Sequence, residues 1–154
     1  MEINVLGFSK KRTNELREAC KFFADQLMDP RMVRNLTIDI EHTTKNDVQG
    51  ECIDEDGTRN PRWFTINLRG GKDDEDIFQT LAHEMVHVKQ HAKNELQSGV
   101  MVPARGGFKM SSRWQGQIWK PKGKEDHYWD APWEIEAYGR EVGLYKRWLE
   151  HKGM

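Results

Sequence analysis

The chain has 154 residues, with 24 Lys or Arg against 25 Asp or Glu, 36% hydrophobic residues and 32% charged ones. That is the length of one ordinary domain, able to bury a core unaided, and it predicts a single domain over residues 1–154. The near-neutral balance gives no global reason to bind nucleic acid, and no stretch approaches the roughly 18 apolar residues of a membrane span.

The N-terminus, MEINVLGFSKKR, has neither a long apolar core nor a small-residue cleavage site, so no signal peptide is predicted. Cys20 and Cys52 stand far apart with no CxxC partner, which reads as two reduced thiols in a cytoplasmic protein.

In chain order, the first predicted element is a helix over residues 13–28. Leu16, Ala19, Cys20, Phe23, Ala24 and Leu27 recur at helical spacing, and Asp29-Pro30 closes the run. Residues 36–41 alternate apolar and polar as a half-buried strand does, and residues 48–53 are a candidate partner for them. Residues 63–68 form a third strand candidate, ended by Gly70-Gly71. A second helix is predicted to open at Asp73 or Asp74, where a carboxylate caps free N–H groups, and to run to about His91. Residues 97–130 are Gly-rich, aromatic and basic without a clear period, which predicts a long loop or an irregular hairpin. Asp130 is the predicted cap of a last helix, with Pro132 in its first turn and an end near Glu150. The order gives an α+β domain, with a small, mostly antiparallel sheet on the second helix and helices at both ends.

The second helix carries the chemistry. Residues 83–87 read His-Glu-Met-Val-His, an HExxH pattern. Residues four apart stack on one face of a helix, so His83 and His87 can share one zinc ion, and Glu84 then points toward the remaining position as general base. The composition gives such a pentamer by chance in roughly 2% of chains of this length, so its placement has to add weight. Stepping about 100° per residue, Ile77, Phe78, Leu81, Ala82, Met85, Val86 and Val88 fill one arc and His83, Glu84 and His87 the opposite one. The alternative is a solvated polar face that carries two unrelated histidines.

A catalytic zinc site takes three protein ligands plus water, so a third is needed. The candidates are Glu134, Glu136, His127 and His91. His91 lies too far along a straight helix to share a metal with His83 and reads as a surface residue. His127 would give a three-histidine site. Glu134 falls amid the apolar arc of the last helix, whereas Glu136 falls among Arg140, Gly143 and Arg147 as a solvated residue would. A carboxylate on the inward face needs a compensating charge, either a metal or an arginine, and Glu134 is the predicted ligand.

These residues resemble gluzincin-type zinc peptidases, in which HExxH is followed by Glu-x-x-Ala-(Asp/Asn) on a later helix, the first glutamate being the ligand. Glu134-Ile135-Glu136-Ala137-Tyr138 is similar to that pattern and departs from it at Tyr138, where the family often has an acid or amide that orients a ligand histidine. Residues 63–90 also resemble SprT-like metallopeptidase domains, which commonly use a third histidine and so keep His127 a candidate. Trp114-x-Gly116, Tyr128 and residues 132–137 together resemble small metallopeptidase-like proteins encoded by bacteriophages, a likeness covering most of the chain after residue 60. The resemblance implies a minimal zincin-like domain, a Zn2+ cofactor, a peptide or protein substrate and a cytoplasmic location, that of the host cell if the protein is phage-encoded.

By resemblance to zincins, residues 63–68 are the candidate edge strand along which an extended peptide lies; an ordinary sheet strand is the alternative. Tyr128 and Tyr138 are candidates for stabilising the oxyanion, against the alternative that they simply pack. Residues 105–124 interleave Arg105, Lys109, Arg113, Lys120, Lys122 and Lys124 with Phe108, Trp114 and Trp119. Basic plus aromatic suits single-stranded nucleic acid, and equally a solvated loop with packing anchors. Three functions share these residues: a zinc endopeptidase, a non-catalytic zincin-like scaffold binding a protein or nucleic acid, and a zinc hydrolase of a non-peptide amide. The sequence carries no signal for oligomeric state.

Overall fold

The computed structural model describes residues 1–45, 49–70, 73–120 and 128–154. It is an α+β arrangement of four helices and two sheets. The chain opens with a strand that the sequence reading missed, β1 (Glu2–Leu6), followed by α1 (Lys10–Leu27). Ser9 caps α1 by accepting from the Arg12 N–H at 3.2 Å, and the six apolar residues at helical spacing are all buried. Asp29-Pro30 ends that run by starting another. Asp29 accepts from the Met32 N–H, Pro30 occupies the first turn, and α2 (Pro30–Arg34) follows.

Three strands come next: β2 (Thr37–Thr43), β3 (Gly50–Asp54) and β4 (Trp63–Arg69). The sheet order is β1-β2-β4-β3, with β1-β2 and β2-β4 parallel and β3-β4 antiparallel. The expected mostly antiparallel sheet is therefore a mixed one, and β3 pairs with β4 instead of β2. The helical α1–α2 segment separates β1 from β2 and leaves room for the crossover that a parallel pair requires. Ile38, Ile40, Phe64, Ile66 and Leu68 turn to the helices and are buried there with Leu16, Phe23, Leu81 and Met85.

Helix α3 (Asp74–Ala92) starts where Asp73 accepts from the Asp76 N–H at 2.9 Å, and three more acids in its first turn favour the positive end of the helix dipole. Residues 97–130, expected to form a long loop or an irregular hairpin, contain a hairpin of β5 (Leu96–Ala104) and β6 (Gly107–Trp114), its register shifted between Gln97 and Val100, with a short β7 (Gln117–Ile118) beside it, all antiparallel. Both faces of β5 carry apolar residues, Val100 and Val102 on one and Met101 and Pro103 on the other, so no alternation was visible. Gly106, at a φ of 83°, takes a left-handed position in the turn that L side chains rarely adopt.

A 3-10 turn (Tyr128–Asp130) leads into α4 (Pro132–His151). Ala131, not Asp130, is the N-cap, and no side chain caps it; Asp130 is used up in the turn. Along α4, the apolar side chains of Ile135 and Val142 are exposed. Helix α4 lies on α3 and reaches α1 through Trp148, which is buried against Phe22, Phe23 and Phe78 at ring-centroid distances of 5.6, 6.4 and 6.2 Å. Truncating such an aromatic costs about 3–5 kcal/mol, so the far end of α4 is firmly held. No helix among the described residues is long and apolar enough to cross a membrane.

Candidate metal centre

Helices α3 and α4 bring three sequence-predicted side chains together. His83 and His87 project from successive turns of α3, and Glu134 comes from the first turn of α4. His83 Nε2 is 3.1 Å and His87 Nε2 is 3.2 Å from Glu134 Oε1, and the two Nε2 atoms are 3.2 Å apart. All three residues are buried, and their donor atoms could hold one metal ion. The sequence placed these histidines on an open face. In the structure α4 and β3 cover that face, so the motif is enclosed on both sides.

The opposite ring nitrogens are tied down by two residues that the sequence reading did not single out. Gln90, fully buried, uses its amide nitrogen to donate to the Trp133 carbonyl and to Glu136 Oε1, each at 2.9 Å. Its oxygen must then face His87 Nδ1, 2.8 Å away, and accept a hydrogen bond from it. Glu141 Oε2 accepts from His83 Nδ1 at 2.7 Å, while Gln79 donates to Oε1 of the same carboxylate at 2.9 Å. These partners place a proton on each Nδ1 and leave each Nε2 facing the shared point. Glu141 thus performs the orienting job that Tyr138 cannot. A signal for it existed: Glu141 lies seven residues after Glu134, two turns along the same helix face, and Gln90 lies three after His87.

The electrostatics follow from burial and these contacts. Burial disfavours the charged form of His83, but hydrogen bonds to Glu134 and Glu141 outweigh it and raise its pKa to about 9. His87 also rises: burial opposes the charge, and the bond to Glu134 more than compensates. Burial pushes the Glu134 carboxyl up, but the two histidines hold it down at about 2. The cluster therefore favours positive charge at its centre and a negative carboxylate beside it. Glu84, buried next to them, is raised to about 7 by desolvation, with the two imidazoles pulling the other way. No hydrogen bond reaches its carboxylate among the described residues.

The other candidates sort as follows. Glu136, expected to be solvated, instead accepts from Lys89 at 2.6 Å and from Gln90, with Arg140 at 3.4 Å. Lys89 is itself buried and also pairs with Glu95 at 2.8 Å, and that cation draws Glu136 inward, away from the metal cluster. His91 is not a free surface residue. Its ring lies against Phe64 with centroids 6.1 Å apart, burial lowers its pKa, and it lines a cleft of about 440 Å³ with Cys52, Asp54 and Leu96. His127 lies outside the described residues, as does the start of the 48–53 segment.

Tyr128 and Tyr138, both well exposed, meet at the mouth of the cluster. The Tyr128 hydroxyl donates to Glu134 Oε1 at 2.9 Å and is 3.3 Å from the Tyr138 hydroxyl, while the Tyr138 ring packs edge-on to His83 at 4.4 Å.

The expected edge strand is corrected by the sheet order. Residues 63–68 lie in β4, between β2 and β3, so an extended peptide has no free edge there. Among the described residues, the free edge beside the cluster belongs to β3. Gly50 approaches α3 so closely that a Cβ would stand 2.5 Å from Thr80 Cγ2 and 3.0 Å from Glu84 Oε1. The bonds from Arg69 N–H to the Gln49 carbonyl and from Glu55 N–H to the Trp63 carbonyl set the ladder parity. Gly50, Cys52 and Asp54 consequently turn their N–H and C=O groups toward the free edge.

Within the basic segment, Trp114 and Trp119 pack on Trp133 at 6.3 and 5.0 Å, and Phe108 is exposed. No protein-family model, curated protein or solved structure matches the chain.

Proposed function

We propose that the chain is a zinc-dependent peptidase with a zincin-like fold, His83, His87 and Glu134 being the ligands and Glu84 the general base. The observation that carries this reading is the convergence of two Nε2 atoms and one carboxylate on a single point, with both Nδ1 atoms committed elsewhere. Ligands about 2.1 Å from a tetrahedral zinc lie about 3.4 Å from one another, and the three separations here are 3.1, 3.2 and 3.2 Å. Imidazole and carboxylate donors suit zinc, and the Nδ1 hydrogen bonds provide the outer support that such ligands need.

Bound zinc would supply the Lewis acidity that makes water nucleophilic near neutral pH. Glu84 accepts the proton of that water and returns it to the leaving amine, and its lack of hydrogen-bond partners among the described residues leaves it available for both transfers. In this reading Tyr128 and Tyr138, whose hydroxyls meet at the mouth of the cluster, donate to the oxygen that becomes anionic, Tyr128 exchanging its bond to Glu134 for that one. An extended polypeptide pairs with the outward groups of Gly50, Cys52 and Asp54 along β3. The two free cysteines accord with a reducing cytoplasm, that of the host cell if the protein is phage-encoded. A non-catalytic scaffold is the competing account. It would have no use for Glu84, a buried carboxylate that costs stability and caps nothing.

The deciding experiment is metal content by elemental mass spectrometry on untagged protein purified without chelator. About one zinc per chain is expected, absent in His83→Ala and reduced in Glu134→Gln. A folded wild type that takes up no metal even after zinc is added back refutes the reading.

A further inference from the structure

The β5–β6 hairpin has a surface that the fold does not use. The cross-strand pairs Met101–Met110 and Pro103–Phe108 share one face, on which Met101, Phe108 and Met110 are 57%, 72% and 65% exposed. The third strand, β7, reaches only Arg113 and Trp114 and, among the described residues, leaves the outer half of the hairpin as a two-stranded ribbon. Ribbons of that kind are marginally stable alone, and a contiguous exposed apolar face on one marks a contact site. Methionines flanking a phenylalanine make a face that adapts to varied side chains.

Charge says what kind of partner fits. Residues 96–124 hold six Lys or Arg and no Asp or Glu, leaving 18 basic and 25 acidic residues in the rest of the chain. Arg105 sits in the hairpin turn, and Lys109, opposite Val102, lies on the other face of the ribbon, so an alternating strand laid along the hairpin meets apolar side chains on one face and a cation on the other. The edge of β5 is also unpaired among the described residues, and its backbone groups invite an extended polypeptide. Single-stranded nucleic acid fits less well. Two of the three aromatics it would stack on are held against Trp133, and methionines and a proline surround the third.

We propose that the β5–β6 hairpin is a docking surface for an acidic polypeptide segment that carries apolar side chains. None of its residues belongs to the cluster of His83, His87 and Glu134, and the proposal does not depend on hydrolysis.

Fluorescence anisotropy tests it with three labelled peptides: one alternating Glu with Leu and Phe, one with Lys in place of Glu, and one with Ser in place of Leu and Phe. Measuring in Glu84→Gln as well as wild type keeps the probes intact and separates docking from any cleavage. The acidic apolar peptide should bind, and the other two should bind at least tenfold more weakly. Phe108→Ser or Met110→Ser should weaken binding by about tenfold. Arg105→Glu with Lys109→Glu should abolish it and transfer binding to the Lys peptide. All four side chains are exposed, so unchanged melting curves certify that the variants are folded. No binding, binding indifferent to the hairpin substitutions, or a single-stranded oligonucleotide preferred over the peptide through the same residues would each overturn the proposal.

Discussion

Removing the carboxylate of Glu141 tests whether the arrangement around His83 is a designed ligand support or an incidental contact. Glu141→Gln keeps the shape and leaves an oxygen that can still accept from His83 Nδ1, but the bond, 2.7 Å in the wild type, loses its charge. Charge-assisted hydrogen bonds contribute about 1.5–3 kcal/mol and neutral ones about 0.5–1.5, so the difference is about 1–1.5 kcal/mol. At 1.4 kcal/mol per decade, zinc affinity should fall about tenfold. Glu141→Ala removes the bond entirely and also strands the Gln79 amide, and a loss of up to about 100-fold is expected. The assay is competition for zinc with a chromophoric chelator at one fixed pH, with cobalt substitution to report the ligand geometry. If both variants bind zinc as tightly as wild type, Glu141 does not orient a ligand and the reading of its contact is wrong.

Glu84→Gln should retain one zinc per chain while peptide hydrolysis falls by about 10²–10⁴-fold; parallel loss of metal would show that Glu84 has a structural role instead. Gly50→Ala forces a methyl group against Thr80 Cγ2 and Glu84, so denaturant unfolding should show a loss of about 1–3 kcal/mol, partly recovered by adding Thr80→Ser. The Cys20 thiol, fully buried 3.7 Å from Met85 Sδ and raised in pKa by that burial, should resist a thiol reagent until denaturant is added; prompt labelling in the native protein would contradict the packing of α1 on α3. Zinc at about 100 times its dissociation constant should stabilise the fold by about 2.7 kcal/mol, an increase in melting temperature of roughly 5–10 °C that a chelator reverses. Stoichiometric binding with no such shift would place the ion on the unfolded chain as well.

How far the sequence carried differs from element to element for physical reasons. Helix α3 was legible because its signals are local: an acidic cap at Asp73 and apolar residues at helical spacing. Glu134 was legible because a carboxylate amid an apolar arc demands compensation. The pairing of β3 was not, since alternation marks a strand without naming its neighbour, and the parallel order β1-β2-β4 is set by crossovers. Strand β1, five residues at a sheet edge, is too short to declare itself. Glu136 was misread because its partner, Lys89, is 47 residues away on another helix. His91 was misread for a similar reason, its neighbour Phe64 coming from a strand.

Glu134 and Glu136 show how much depends on the placement of a single helix. Two residues apart on α4, they diverge around α3: Glu134 enters the metal cluster, and Glu136 goes to Lys89 and to the amide of Gln90. The second contact fixes Gln90, Gln90 fixes the proton on His87 Nδ1, and that bond turns His87 Nε2 back to Glu134. Farther along, Glu141 does the same for His83, and Trp148 anchors the helix in the aromatic core. The third donor, both tautomers and the closure of the site therefore arise together when α4 docks. An HExxH helix alone supplies two imidazoles whose protons are unassigned. It becomes a closed cluster of three donors only when this second helix lies across it, which is why the residues that matter most after the motif itself lie about 50 positions downstream in the chain.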